Sequence, residues 1–449
     1  METLFPVIII TYVECFSTCF PANNFEYFRG FILAFMLLGE TRKCVTNISR
    51  VCFFVDRHIL SWERFLSSHH WDMNKIMEIM VKLMKENLKE SLMIYGAYLA
   101  CIDTTLISKV RGKMIGIQKW PVHSGNPNKG EYLVGHHWAL LGLIGKVIIG
   151  EKNPHMCFPL FANLISGQKS PLGFVVNKQG ITENMNFWDG VCPLVTQLRD
   201  ILKDSPVRVV ADAYFSKASF INWMLSISVN VITRMRVDAV GWDDPEPELV
   251  TGKKKRGRKP TKPKKGKQWK ISHLLKDFPL TEVQVNIYGK INTLEIVSRK
   301  LWIRDVEKQQ VNIVVIKTKK EPIILLSTDL ELSVEKIIEI YSMRFSIEIA
   351  IRDLKQSFGI GDYQSVNTLA IKRFVALSII SFSLWRMAIL QELYAKWLYS
   401  SHGYSILSFK RISQALRKVV IQSIFQKFAI QANFQNSILV PEQLVRLIV

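Results

Sequence analysis

The sequence has 449 residues, enough for two or three domains with a sizeable core. Its longest apolar runs, residues 31–38 and 374–385, fall short of the roughly 20 residues that a membrane-spanning helix needs. The N-terminus carries no basic leader, so we expect a soluble intracellular protein without a membrane partner. The net charge of +21 predicts a polyanionic partner, nucleic acid before lipid. Seven scattered cysteines form no paired metal-binding motif, which argues against a zinc site or a disulfide framework.

The first part of the chain, residues 1–90, has the pattern of a helical domain. Apolar segments over residues 7–20 and 25–38 are separated by a turn cluster, and residues 72–95 show the spacing of a long amphipathic helix. No clean helix-turn-helix motif is present. Residues alone therefore predict a compact α-helical domain and leave its partner open.

Residues 91–236 alternate between strand and helix patterns, and two of the strands end in an aspartate. The apolar run 95–102 leads into Asp103, and the short apolar run 207–211 leads into Asp212. A carboxylate at the end of a buried strand is rigidly placed and partly desolvated, as a metal ligand requires. Each aspartate has an ordinary alternative role as a helix cap or turn residue.

A Gly-His-His-Trp motif at residues 135–138 lies on a predicted strand in the same region. Neighbouring side chains of a strand point to opposite faces, so at most one of His136 and His137 can face the carboxylates. We therefore expect these histidines to have structural rather than metal-binding roles.

Residues 237–330 contain a strongly basic loop, 252–270, followed by four strand patterns at 280–288, 294–303, 311–317 and 322–327. Eleven Lys and Arg residues and no acid fall within residues 253–270, so about half of the net charge lies elsewhere. The Arg256-Gly-Arg258 core, preceded by Lys254 and Lys255, is similar to an AT-hook, although Lys259 stands where AT-hooks have proline. The simpler alternative, which we favour, is a loop that binds phosphates without sequence preference.

The last two segments, 331–400 and 401–449, are predicted to be helical. Four polar residues would share one face of a single helix at residues 341–355, namely Tyr341, Arg344, Glu348 and Lys355. A carboxylate among these donors could hold a divalent cation while the donors bind phosphate oxygens. The alternative is a solvated face with ordinary charge pairs. A long apolar helix and an amphipathic, basic tail follow.

The spacing Tyr-x2-Arg-x3-Glu-x6-Lys resembles the signature of a large group of insertion-sequence transposases with a DDE catalytic triad. The resemblance covers about residues 60–390. It implies a ribonuclease-H-like core, a mixed α+β or α/β sheet flanked by helices, at residues 91–236 and 331–400, with a β-rich insertion at 237–330. It also implies that residues 1–90 grip the end of the element. The catalytic carboxylates would be Asp103, Asp212 and Glu348, holding two Mg²⁺ or Mn²⁺ ions.

The reaction implied by this resemblance is metal-dependent cleavage of double-stranded DNA at terminal inverted repeats, followed by strand transfer into target DNA. Tyr341, Arg344 and Lys355 would position phosphates of the cleaved strand. We expect a homodimer in a synaptic complex, located in the cytoplasm with the nucleoid if the host is prokaryotic. Two alternatives remain: a ribonuclease-H-like nuclease that cuts without joining, and a domesticated DNA-binding protein without activity.

Overall fold

The computed structural model describes most of the chain between residues 7 and 390. The described residues are 7–52, 55, 57–109, 114–121, 132–147, 155–165, 174–176, 182–184, 187–203, 205–245, 266–304, 306 and 309–390. The basic cluster of the 252–270 loop and the 401–449 tail lie outside these residues. The positions predicted for Lys254, Lys255, Arg256 and Arg258 therefore have no structural counterpart here.

Among the described residues, five α-helices precede the first strand: α1 (Val7–Glu14), α2 (Ala22–Leu37), α3 (Val45–Val51), α4 (Ile59–Ser67) and α5 (Met73–Leu88). Their packing is dominated by aromatic rings, since Phe28, Phe31, Trp62 and Phe65 have no exposed surface. Phe31, for example, stacks on Phe65 with ring centroids 5.8 Å apart and meets Trp62 edge-on at 5.3 Å. Such rings bury a large apolar area per residue and fix the helices against one another.

Thirteen of the described strands form one mixed sheet. They are β1 (Met93–Ile94), β2 (Ala97–Ser108), β3 (Gln118–Pro121), β4 (Tyr132–Lys146), β5 (His155–Ile165), β8 (Val207–Ala211), β9 (Asn230–Met235), β10 (Val240–Trp242), β11 (Gln268–Lys270), β12 (Thr281–Ile287), β13 (Lys290–Ile303), β14 (Val311–Ile316) and β15 (Ile323–Ser327). A separate hairpin joins β6 (Phe174–Val176) and β7 (Thr182–Asn184). The remaining helices are α6 (Phe187–Leu202), α7 (Ala218–Ser226), α8 (Leu274–Asp277), α9 (Val334–Met343), α10 (Phe345–Ser357) and α11 (Thr368–Leu390).

The order of the strands places the two aspartate-bearing segments side by side. The main path of the sheet runs β11-β10-β13-β14-β15-β9-β8-β2-β4-β3, with β5 added on β4. Strands β2, β8 and β9 are parallel, whereas β2, β4 and β5 form an antiparallel meander. Strand β2, which carries Asp103, and strand β8, which leads into Asp212, are thus direct neighbours. A large mixed sheet flanked by helices is the arrangement expected of a ribonuclease-H-like DDE fold.

The four strands predicted in residues 280–327 extend this same sheet. Strand β15 pairs with β9, and β14, β13 and β12 follow outward in antiparallel order. The apolar side chains of the N-terminal helices and of the central strands also belong to one continuous hydrophobic cluster. The strands that lead to Asp103 and Asp212 are therefore supported on both sides by packed structure, which gives their side chains fixed positions.

Helix α11 passes through this cluster. By length and composition it is apolar enough to cross a membrane, but 89% of its most apolar 18-residue window is buried inside the fold. Two buried arginines also lie on it, Arg373 and Arg386. Arg386 donates to the Asp353 carboxylate on α10 at 3.1 Å and to the Cys157 carbonyl on β5. These contacts are those of a core helix that holds α10 against the sheet.

The expectation of one helix through residues 341–355 is wrong. Helix α9 ends at Met343, α10 begins at Phe345, and Arg344 lies at the break between them. Periodicity alone does not reveal this break, because both helices keep a similar apolar face. The change is local, since the backbone of Arg344 keeps right-handed helical dihedral angles, with φ −50° and ψ −37°.

Candidate active site

Asp103 lies within β2 and not at its end, which corrects the expected position. The strand continues to Ser108, and Asp103 lies opposite Leu140 on β4. Its Oδ1 accepts a hydrogen bond from the Thr104 N–H at 2.7 Å. Only 17% of its side chain is exposed. The paired strand on each side fixes the backbone, so the carboxylate has a defined direction.

Asp212 is the first residue after β8. Its Oδ1 accepts from the Tyr214 N–H at 2.9 Å, and its carbonyl accepts from the buried Thr233 hydroxyl at 2.6 Å. The ordinary capping role predicted as an alternative is therefore present as well. In the parallel register Cys101 faces Val210, so continuing both strands by two residues brings Asp103 alongside Asp212. Neighbouring strands lie about 4.8 Å apart.

Glu348 is linked to Asp103 through the side chain of Arg344. The Nη2 of Arg344 lies 2.7 Å from Oε1 of Glu348, and its Nη1 lies 4.0 Å from Oδ2 of Asp103. The Arg344 side chain is 17% exposed and that of Glu348 is 41% exposed. The carboxylates of Asp103 on β2, Asp212 directly after β8 and Glu348 on α10 therefore lie in one region, with the Arg344 guanidinium between those of Asp103 and Glu348.

Burial and the charges of the neighbouring acids raise the pKa values of the two aspartates. Burial raises the pKa of Asp103 to about 7, and the charges of Asp212 and Glu348 act in the same direction. Burial also raises the pKa of Asp212, with a smaller contribution from Glu348. Arg344 opposes both shifts. Carboxylates that repel one another in a partly desolvated site favour a bound cation.

The chemistry of this donor set fits a hard divalent ion such as Mg²⁺ or Mn²⁺, for which carboxylate oxygens are the preferred ligands. In the described part of the chain, however, no three His, Cys, Asp or Glu side chains are already grouped closely enough to hold a metal ion. Glu348 is instead paired with Arg344. Ion binding by all three acids therefore requires Glu348 to exchange its arginine partner for the metal.

Tyr341 and Arg234 complete the polar surroundings. The ring of Tyr341 lies 5.8 Å from the guanidinium of Arg344. Burial raises the pKa of Tyr341, while the positive charges of Arg344 and Arg234 lower it. Our sequence analysis did not select Arg234. The available signal was the one charged residue of strand β9, which lies two strands away from the Asp103 strand.

Lys355 contacts the protein and not open solvent alone. Its Nζ donates to the Leu106 carbonyl on β2 at 2.9 Å. Lys355, which is predicted to bind phosphate, thus also connects the helix of Glu348 to the strand of Asp103. The structure brings Tyr341, Arg344 and Glu348 together, with Lys355 at the far end of α10.

Two backbone hydrogen bonds join the residues on either side of the basic cluster, and we call this contact the Asp243–Gly266 neck. Asp243 N–H donates to the Lys267 carbonyl, and Gly266 N–H donates to the Asp243 carbonyl, both at 3.0 Å. The Asp243 carboxylate accepts from Trp269 Nε1 at 2.6 Å and from Arg299 at 2.8 Å. The loop therefore begins and ends at one fixed point of the sheet.

Two successive parts of the chain match known protein families. Residues 15–289 match the family described as DDE superfamily endonuclease, and residues 300–392 match the family described as archaeal putative transposase ISC1217. No curated protein matches. The first match contains Asp103 and Asp212, and the second contains Glu348. Enzymes of these families are nucleases and transposases that act on DNA, and DDE nucleases generally use divalent metal ions. The chain belongs to the DDE endonuclease superfamily, and its residues 300–392 are similar to the archaeal transposase family.

Proposed function

We propose that this protein is a DNA transposase that uses Asp103, Asp212 and Glu348 to hold two Mg²⁺ or Mn²⁺ ions. It would cut DNA at terminal inverted repeats and join the ends to target DNA. The observation that carries the proposal is the parallel pairing of β2 with β8, which brings Asp103 alongside Asp212, while Arg344 connects Asp103 to Glu348. We also propose that Tyr341, Arg344, Glu348 and Lys355 form the Tyr-Arg-Glu-Lys signature of this group of transposases.

The residues have separate tasks in this mechanism. When bound, the ions would activate the attacking hydroxyl and stabilise the leaving oxygen of an in-line phosphoryl substitution. Asp103 and Asp212 supply fixed oxygens because their strands are paired on both sides. Glu348 would be the third residue to hold the ions, and it would leave Arg344 to do so. The freed guanidinium, with Tyr341 and Lys355, is then available to bind phosphate oxygens of the cleaved strand.

Lys254, Lys255, Arg256 and Arg258 are proposed to bind the DNA backbone. Their cluster of like charges cannot bury apolar surface and suits contact with phosphates. The Asp243–Gly266 neck supports this role, because it anchors the loop to the sheet that carries the acids. As two ends must be cut and joined together, we also propose a homodimer that acts on chromosomal DNA in the cytoplasm of a prokaryotic host.

A nuclease that cuts without joining is the second candidate. The match of residues 15–289 to an endonuclease family favours it. Both candidates use the same three acids, so they differ only in whether a DNA 3′-hydroxyl replaces water as the attacking group. Strand-transfer products separate them.

The test uses Asp212→Asn, which keeps the shape of the side chain and removes its charge. The proposal predicts loss of metal-dependent cutting with unchanged DNA affinity, because Asp212 binds the ion and not the DNA. Asp200→Asn, at an exposed position on α6, is the matched control and should cut normally. Equal loss of cutting and binding in Asp212→Asn would show that the residue is structural.

A further inference from the structure

The Gly-His-His-Trp motif has no task in the chemistry described so far, yet the structure gives two of its residues a common partner. His136 and Trp138 lie on the same face of β4, and both contact the hydroxyl of Tyr363, which lies in the loop after α10. Trp138 Nε1 donates to this hydroxyl at 3.3 Å, and His136 Nδ1 lies 2.8 Å from it. His136 and Trp138 have no exposed surface, and Tyr363 is 2% exposed.

The direction of each hydrogen bond in this group is determined. The second nitrogen of His136, Nε2, lies 3.0 Å from the Ile115 carbonyl, which can only accept. Nε2 therefore carries the proton, and Nδ1 accepts from the Tyr363 hydroxyl. Burial lowers the pKa of His136, which keeps the ring in this neutral form. The hydroxyl thus donates once and accepts once, and all buried polar atoms of the three side chains are satisfied.

Lys109 holds the other side of Tyr363. Its Nζ donates to the Gly361 carbonyl and, at 2.8 Å, to the Tyr363 carbonyl, and it lies 3.7 Å from the centre of the Tyr363 ring. The loop also approaches β2 closely, because a Cβ on Gly361 would lie 2.8 Å from the Ile107 side chain. We call His136, Trp138, Tyr363 and Lys109 the Tyr363 cluster.

We infer that the Tyr363 cluster consists of positioning residues that set the place of Glu348 relative to Asp103. The cluster joins the loop after α10 to β2 and β4, close to the segment of β2 that carries Asp103. Trp138 lies opposite Thr105, and His136 opposite Ile107, which are two and four residues beyond Asp103 on the same face of β2. Glu348 lies nine residues before the last residue of α10, about 13 Å along the helix.

The C-terminal end of α10 has to hold the helix in place because the contact at its N-terminal end is lost in the proposed mechanism. At the start of α10, the polar side-chain link to Asp103 is through Arg344, and the proposed mechanism requires Arg344 to release Glu348. The Tyr363 cluster does not touch the acids and stays intact when the ion binds. It then fixes the helix while Glu348 changes partner. This inference rests on the proposed function, since it assumes that the three acids bind a metal.

The experiment measures Mn²⁺ affinity of the full chain without DNA, by calorimetry at a temperature far below unfolding. Tyr363→Phe removes one hydroxyl and leaves two buried polar groups without a partner. We expect about tenfold weaker Mn²⁺ binding, the effect typical of residues that orient metal ligands. Lys109→Met, which breaks the same loop contacts from the other side, should act in the same direction.

The control removes an equivalent hydroxyl far from the acids. Tyr12 is buried and donates to Asn87 at 2.8 Å, so Tyr12→Phe should lower the melting temperature without changing Mn²⁺ affinity. Unchanged affinity in both Tyr363→Phe and Lys109→Met, with normal binding by the wild-type chain, would overturn the inference alone. A wild-type chain that binds no Mn²⁺, or an Asp103→Asn variant that binds it equally well, would overturn the proposed metal site and the inference with it.

Discussion

Arg344 occupies the place of a cation between Asp103 and Glu348, and replacing it with methionine gives the most informative single prediction. In the metal-free protein the guanidinium binds Glu348 at 2.7 Å and lies 4.0 Å from Asp103. A metal that recruits Glu348 must break the first of these contacts. Because the Glu348 side chain is 41% exposed, solvent screens the pair and its net contribution is about 1 kcal/mol.

Removing that competition should strengthen metal binding. A free energy of about 1 kcal/mol corresponds to about a fivefold change in the dissociation constant. We therefore predict that Arg344→Met binds Mn²⁺ about fivefold more tightly than the wild-type chain. It should nevertheless cut DNA more slowly, because the variant has lost a phosphate-binding group. Tighter metal binding combined with weaker cutting distinguishes this account from simple damage to the site.

The assay is calorimetric titration of the full chain with Mn²⁺ at pH 8, where Asp103 is mostly ionised. Arg352→Met is the matched control, because Arg352 lies on the same helix, is 61% exposed and contacts Asp353 rather than the proposed ligands. Its Mn²⁺ affinity should equal that of the wild-type chain. Equal or weaker Mn²⁺ binding by Arg344→Met would refute the idea that Arg344 competes with the ion.

Four further predictions concern proton binding, chain stability and DNA affinity. The pKa of Asp103 is about 7 instead of 3.8, so Mn²⁺ must displace a proton from this carboxyl group below pH 7. The Mn²⁺ affinity of the chain should therefore fall about tenfold per pH unit below pH 7 and level off above it, and an affinity that does not change with pH would contradict this. For the metal-free chain the raised pKa gives the opposite trend, with stability lost as pH rises from about 4 to about 7 unless Asp103 is changed to Asn. Asp353→Ala would leave the buried Arg386 without its carboxylate and should cost about 3–5 kcal/mol in chemical denaturation, whereas a cost near zero would remove α10–α11 pairing from the account. Changing Lys254, Lys255, Arg256 and Arg258 to Ala should reduce the slope of log affinity for DNA against log salt by up to about 3.6, and an unchanged slope would refute their contact with phosphates.

The strands that carry or precede the two aspartates could be predicted from sequence because their signals are local. Apolar runs identified the strands that lead to Asp103 and Asp212, whereas the neighbourhood of these strands was implied only by the resemblance to the ribonuclease-H-like fold. The strand patterns at residues 280–327 were also recognisable, although their continuity with the catalytic sheet depends on the pairing of β15 with β9. Such a pairing joins distant parts of the chain and leaves no local pattern.

The contacts of individual side chains could not be predicted in the same way. The break at Arg344 falls between two helices with similar apolar faces, so periodicity suggested a single helix. The bond between His136 and Tyr363 spans 227 residues, and that between Lys355 and Leu106 spans 249. A motif such as residues 135–138 shows that something is required at these positions. Only the fold shows which partner the side chains meet.

The central claim is that Asp212 binds a metal ion that the DNA-cutting reaction needs. The most direct test is cleavage of DNA carrying the gene's own flanking sequence by Asp212→Cys, measured in parallel with Mg²⁺ and Mn²⁺. A thiolate is a poorer ligand for Mg²⁺ than for Mn²⁺. The account predicts that the variant cuts with Mn²⁺ but not with Mg²⁺, whereas the wild-type chain cuts with both. The same ratio of activities in the variant and the wild-type chain would contradict it.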